Sequence, residues 1–152
     1  NFHNILDKKD YLTNLKSILN EGGLLICNFF GENSLVELRK SLILADEELY
    51  NGSFIRLQKN ITMNEFSNLL TESRFKDIVN EKINYQIYYK NIIPLLKDIR
   101  GIGENSVMNS KEIKISKDYI KILEMKYKKK FSNVDSQLKL TVDIISSSSW
   151  KN

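Results

Sequence analysis

Histidine and cysteine each occur only once in the 152 residues, as His3 and Cys27. A single histidine excludes a histidine-based triad or a metal site assembled from this chain alone. A single cysteine excludes an internal disulfide and a cysteine metal cluster, and inside an apolar run it reads as inert packing. Long apolar stretches are missing too. None approaches the roughly 20 residues that span a bilayer, and no secretory signal is visible, so the cytoplasm is the expected compartment. Gly101 and Gly103 have the spacing of a phosphate loop but follow a helical pattern rather than a strand, so a dinucleotide reading fails on context.

What remains is an ordinary globular make-up, 41% hydrophobic and 28% charged, with enough length for one domain with a real core. The formal net charge of +4 is compatible with an acidic partner. The richness in Lys, Asn and Ile equally suits a biased base composition, and no nucleic-acid partner is expected. No repeat, linker or domain boundary is visible.

Residues 21–39, EGGLLICNFFGENSLVELR, are the most informative stretch. Gly22 and Gly23 suit the left-handed cap of a preceding helix. Leu24 to Phe30 is an apolar run of strand length. Ser34 and Glu37 have capping-box spacing, which predicts a helix from about Leu35. Helix, strand, helix is the grammar of an α/β sheet, whose ligands sit beyond the carboxyl ends of its strands. Asn28 to Asn33 therefore lie where chemistry is expected.

The rest follows the same grammar. Asp7 caps a first helix with the stripe Tyr11, Leu12, Leu15, Ile18 and Leu19. The helix after the strand places Leu35, Leu38, Leu42, Ala45 and Leu49 on one side. Asn51 to Ser53 mark a turn, and Thr62 with Glu65 forms a second capping box. A strand rich in β-branched and aromatic residues is expected within 75–89, at about 76–88. Pro94 suits the first turn of a helix carrying Ile92, Leu96 and Ile99, ended by Gly101 and Gly103. Ser116 caps a helix with Tyr119, Ile120, Leu123 and Tyr127 inward. Leu138, Leu140, Val142 and Ile144 alternate with Lys139, Thr141 and Asp143 in a half-buried last strand, about 137–145.

Three strands cannot make a doubly wound sheet that covers itself, because a central parallel strand needs neighbours and helices on both faces. One sheet edge should lie bare and invite pairing. The expected partner is a missing N-terminal half, or a second copy, at that open edge.

Three segments carry a family resemblance. FHNILD at 2–7 is similar to the Trp-Val-Asn-Asp-like segment after the fourth strand of class I S-adenosylmethionine-dependent methyltransferases. GGLLICNFFGENSLVELRKSL at 22–42 resembles their fifth strand and following helix. LLKDIRGIGENS at 95–106 resembles a Leu-x-x-Leu-x-Gly-Met-Gly segment that methyltransferases in general lack. The resemblance is greatest to the malonyl-carrier-protein O-methyltransferases of biotin synthesis and to a sister group that includes a mitochondrial complex I assembly factor. It implies an α/β fold: the C-terminal half of a Rossmann-like class I methyltransferase sheet with flanking helices, residues 1–152 forming one portion of that domain. The glycine-rich loop and the ribose-binding acid of such enzymes belong to the N-terminal, cofactor-binding half, which these residues do not include.

By the same resemblance His3 and Asn4, standing where the family has Trp-Val, would touch S-adenosylmethionine, most of whose site lies in the other half. Asn28 and Phe30, at the end of the central strand, would face the acceptor. Arg39 and Arg100 would pair a substrate carboxylate, in the bidentate geometry arginine favours. Tyr89, Glu104 and Asn105 would complete the acceptor site. Each has a plainer reading as packing, capping or an exposed side chain. Lys117, Lys121, Lys126 and Lys128 to Lys130 make a basic helix, either a solvated face or a dock for an acidic carrier protein. The implied activity is methylation of a carrier-bound carboxylate. The alternatives are an assembly factor acting by hydroxylation or chaperone-like binding, and a non-catalytic remnant of a split gene. Fold analogy does not separate them.

Overall fold

The computed structural model describes Phe2, residues 5–103 and residues 116–152. Within these, the elements run α1 (Lys8–Ile18), β1 (Leu24–Phe30), α2 (Val36–Tyr50), α3 (Met63–Glu72), β2 (Lys76–Tyr89), α4 (Ile92–Gly101), α5 (Lys117–Phe131) and β3 (Leu138–Trp150). The strands form one sheet in the order β1-β3-β2, with β3 antiparallel to β1. The last strand thus lies in the middle of the three. The far edge of β1 bears no strand among the described residues.

β3 is longer than expected, continuing through Ser146 to Ser149 to end at Trp150. Serine favours turns, but here the four serines pair with Asn28, Cys27, Ile26 and Leu25. The ladder overrides local preference, because buried backbone groups must find partners.

Two compact units divide the chain: residues 1–34, 59–85 and 142–152, and residues 35–58 and 86–141. In the first, α1 and α3 pack on one sheet face. Their core joins Leu12, Phe66 and Leu70 to Phe29 of β1 and Ile145 of β3. Phe2 closes it, with its ring 5.0 Å from Phe66 and 5.7 Å from Phe29. Asp7 caps α1 by accepting from Asp10 N–H at 2.8 Å. Only Leu12 of the expected stripe is fully buried, however, and Tyr11 and Ile18 face solvent. Gly22 is left-handed (φ 72°), but it is not the helix cap. α1 ends at Ile18, and Gly22 shapes the turn into β1, its N–H donating to the Lys151 carbonyl at 2.7 Å. At α3 the capping box forms as expected. Glu65 N–H donates to the Thr62 hydroxyl, and Thr62 N–H to the Glu65 carboxylate.

In the second unit α2 and α4 pack against α5, burying Leu38, Leu42 and Ala45 of α2 and Tyr119, Leu123 and Tyr127 of α5. On α4, Leu95 takes the inward place expected of Leu96. The box expected from Ser34 and Glu37 does not form. Leu35 takes the N-cap position with φ 60° and no side-chain capping bond. Glu37 is buried and instead accepts from the Thr141 N–H at 2.9 Å and from its hydroxyl. Asp46, also buried, accepts from Arg56 Nε at 2.8 Å and from the Tyr119 hydroxyl at 2.9 Å. The Arg56 guanidinium lies 4.6 Å over the Tyr119 ring. Three of the six lysines of α5 are already paired: Lys121 with Asp118, Lys126 with Glu48 and Lys128 with Glu124. No described helix is long and apolar enough to cross a membrane.

Candidate functional site

The carboxyl end of β1 is built almost wholly from the first unit's own polar groups. The chain turns at Gly31, whose N–H donates to the Asp143 carbonyl at 2.9 Å while its carbonyl accepts from Ser34 N–H at 3.0 Å. Space favours glycine here. A Cβ at Gly31 would lie 2.9 Å from Ile145 Cδ1 and 3.3 Å from Asp143 Cβ, and close-packed interiors do not yield such room cheaply. Ser34 then bonds to Asp143 in both directions. Its hydroxyl donates to the Asp143 carbonyl at 2.9 Å and accepts from the Asp143 N–H at 3.0 Å. Buried Asn60 reaches over from the segment before α3, its side-chain amide donating to the Gly31 carbonyl at 3.2 Å.

The Asp143 side chain is buried on the same strand. One carboxylate oxygen accepts from the Asn84 amide, and the other accepts no hydrogen bond among the described residues. Glu32, next to Gly31, pairs with Lys82 at 3.2 Å. Beside Asn60 opens a cavity of about 420 Å³, lined among others by Lys8, Lys59, Ile61, Glu65 and Leu69. Its lining is mixed, apolar at Ile61 and Leu69, with the cations of Lys8 and Lys59 balanced by the carboxylates of Glu65 and Glu72.

Asn28 and Phe30 lie in the first unit, on the sheet face away from α1 and α3. Asn28 is exposed and Phe30 is opposite Ile144. Arg39, Tyr89 and Arg100 belong to the second unit. Arg39 is half-buried and donates from Nη2 to the Gln58 carbonyl at 3.0 Å. Tyr89 donates its hydroxyl to Asp98 at 2.9 Å, and burial together with that carboxylate pushes its pKa up to about 12. Arg100 is exposed near the end of α4. His3, Asn4, Glu104 and Asn105 lie outside the described residues.

Sequence reasoning missed Ser34, Asn60, Asn84 and Asp143 as parts of the site. Alternation placed Asp143 on a polar outer face, whereas it is buried as fully as its apolar neighbours. An acidic residue amid the apolar β3 was the available signal.

An adenosyl cofactor does not fit these residues by themselves. The amides of Gly31 and Ser34 are committed to Asp143 and Gly31, Glu32 is paired with Lys82, and no described strand is followed by a glycine-rich loop. Among the described residues no group of His, Cys, Asp and Glu is arranged to hold a metal ion.

No family model matches the chain. A protein of Rickettsia prowazekii that carries a methyltransferase name is 32% identical over 132 residues, covering 80% of this chain and 58% of that one. Malonyl-[acyl-carrier protein] O-methyltransferase 2 of Ilyobacter polytropus is 33% identical over 137 residues, covering 89% and 49%. A mitochondrial arginine-hydroxylase of Dictyostelium discoideum is 28% identical over 151 residues, covering 97% and 34%. The chain thus spans between about a third and three fifths of these relatives. The crystal structure of a Bacillus halodurans protein titled as a methyltransferase matches 98% of this chain and 60% of its own, with a TM-score of 0.54 at 12% identity, a likeness of fold. The chain has the Rossmann-like α/β fold of methyltransferases, and its homologues are class I methyltransferase-like proteins that include both malonyl-carrier methyltransferases and arginine hydroxylases.

Proposed function

We propose that this chain carries the acceptor side of an S-adenosylmethionine-dependent methyltransferase, and that polypeptide beyond the described residues carries the methyl-donor site. The observation that supports this reading is the cavity beside Asn60, at the carboxyl end of β1, where α/β sheets hold their ligands. Lys8 and Lys59 in its lining, set beside the carboxylates of Glu65 and Glu72, would have to turn toward a carboxylate acceptor such as that of the malonyl-carrier relatives. A carboxylate is already nucleophilic, so the residues of this chain need only bind it, orient it and exclude water. The three lysines of α5 that make no ion pair among the described residues, Lys117, Lys129 and Lys130, would receive an acidic carrier protein.

One observation favours a second reading. Asp143 keeps a buried carboxylate oxygen that accepts no hydrogen bond among the described residues, and Glu32, paired with Lys82, stands at the same turn. Acceptor-rich surroundings suit a guanidinium, which would align the chain with the arginine-hydroxylase relatives instead.

Calorimetric titration of S-adenosylmethionine, into this chain alone and into its mixture with a glycine-loop half supplied in trans, tests the first reading. Binding in the mixture alone supports it, and binding to the isolated chain contradicts the location of the donor site. Silence in both removes the methyltransferase reading. Lys59→Ala should raise KM for a carboxylate acceptor while leaving a guanidinium substrate unaffected.

A further inference from the structure

β2 is an outer strand of the sheet. Among the described residues it pairs with β3 alone, and its other edge bears no strand. Its regular part begins after Asp77, whose left-handed backbone (φ 49°) interrupts the pleat, and runs on to Tyr89. Little covers it. Val79 is 60% exposed, Ile83 38%, Tyr85 51%, Ile87 41% and Tyr88 44%. Alternate residues point to opposite faces, so apolar side chains lie open on both.

Proteins blunt such an edge with proline, bulges or lysine. Residues 78–89 contain no proline. Their one lysine, Lys82, is drawn aside to Glu32. Residues 83–89, INYQIYY, carry no charge at all. Short uncharged runs rich in β-branched and aromatic residues are the ones that take up another strand.

We infer that β2 pairs edge to edge with β2 of a second copy of this chain, antiparallel, with Ile83 opposite Ile83 on the two-fold axis. An axis perpendicular to the sheet keeps every side chain on its own face, and each contact is made twice. The charges select the register. Centring the pair on Glu81 or on Lys82 sets like charges directly opposite each other, which is destabilising. Centring it on Asn84 sets the Glu81 carboxylate against Ile87. Centring it on Ile83 uses the whole span 78–88 and puts Val79 opposite Ile87 and Glu81 opposite Tyr85, whose hydroxyl can donate to the carboxylate. On the other face Lys82 meets Asn84, Asn80 meets Gln86 and Ile78 meets Tyr88. Apolar faces apolar, and no like charges oppose. This edge is the one farthest from β1, so strands added beside β1 leave it free. The inference therefore stands apart from the methyltransferase reading.

Sedimentation equilibrium of the chain tests it, and a dimer that dissociates on dilution is expected. Ile83→Lys sets two ammonium groups against each other on the axis and should weaken the dimer by roughly tenfold or more. Ile87→Lys is a second variant at an exposed position, with the same expectation, and unfolding midpoints confirm that both remain folded. Ile26→Lys, on β1, should leave the dimer unchanged. Register is read by cross-linking in a Cys27→Ser background. Ile83→Cys should be joined by a short bis-maleimide. The two copies of Tyr85→Cys would lie roughly 13 Å apart along the strands and should link far less. A monomer at every concentration overturns the inference, as does a dimer that survives both lysine variants. A dimer lost with Ile26→Lys belongs to the β1 edge and overturns it too. Tyr85→Cys linking better than Ile83→Cys overturns the register.

Discussion

Ser34 and Asp143, 109 residues apart, exchange two hydrogen bonds, with the serine hydroxyl inserted between the N–H and the C=O of a single residue of β3. The bond pattern is that of a strand pairing, performed by a side chain just past the point where β1 has ended.

Ser34→Ala removes that hydroxyl and leaves the buried Asp143 N–H without its partner. Stranding a buried donor costs about 2 kcal/mol, so the urea midpoint should fall with an unchanged slope. Ser34→Thr, which keeps the hydroxyl, should recover part of the loss if the extra methyl is accommodated.

Gly31→Ala places a methyl group against Ile145 and Asp143. Overpacking of this kind costs about 1–3 kcal/mol. Ile145→Val removes the Cδ1 that would be struck first, so the double variant should be more stable than the sum of the two single losses predicts. Strict additivity in that cycle would mean the turn has moved away from β3 instead.

Asp46 is buried with Arg56, and the Arg56 side chain is only 13% exposed. Asp46→Ala leaves a buried guanidinium without its counter-ion, which costs about 3–5 kcal/mol. Adding Arg56→Ala to it should cost little more, or restore stability. Chemical unfolding of the four proteins measures the coupling.

Tyr89 has a folded pKa of about 12 against an ordinary 10.0. A raised pKa means that the folded state holds the proton more tightly. The stabilisation is fully present below pH 10, and it is lost as the pH rises from 10 to 12. Asp98→Asn removes the accepting carboxylate and should lower the midpoint of the phenolate absorbance change assigned to Tyr89. No movement of that midpoint would assign the shift to burial alone.

The features legible in the sequence were those fixed by neighbours. The strand Leu24–Phe30 and the Thr62–Glu65 box depend on residues within one turn or one run, and both stand as read. Ser34 and Glu37 had the same local spacing as Thr62 and Glu65. Yet both turn to β3, because Leu35 adopts a left-handed backbone and β3 offers stronger partners. The serine segment of β3 was illegible because its strand character comes from pairing with β1, far away in the chain. The Asp46–Arg56–Tyr119 cluster spans 73 residues between its ends, and no periodicity announces such a contact. Of the candidate site, the carboxyl end of β1 was foreseen as a place. The residues that shape it came from segments that only folding brings near.

Cys27 has one more consequence. It is the sole thiol of the chain, it points to the face packed beneath α1 and α3, and burial pushes its pKa up. The thiol is half-buried, so a reagent reaches it slowly in the folded protein and faster when that layer parts. The rate of labelling, set against that of the unfolded chain, gives this protein a built-in gauge of how tightly the layer is closed.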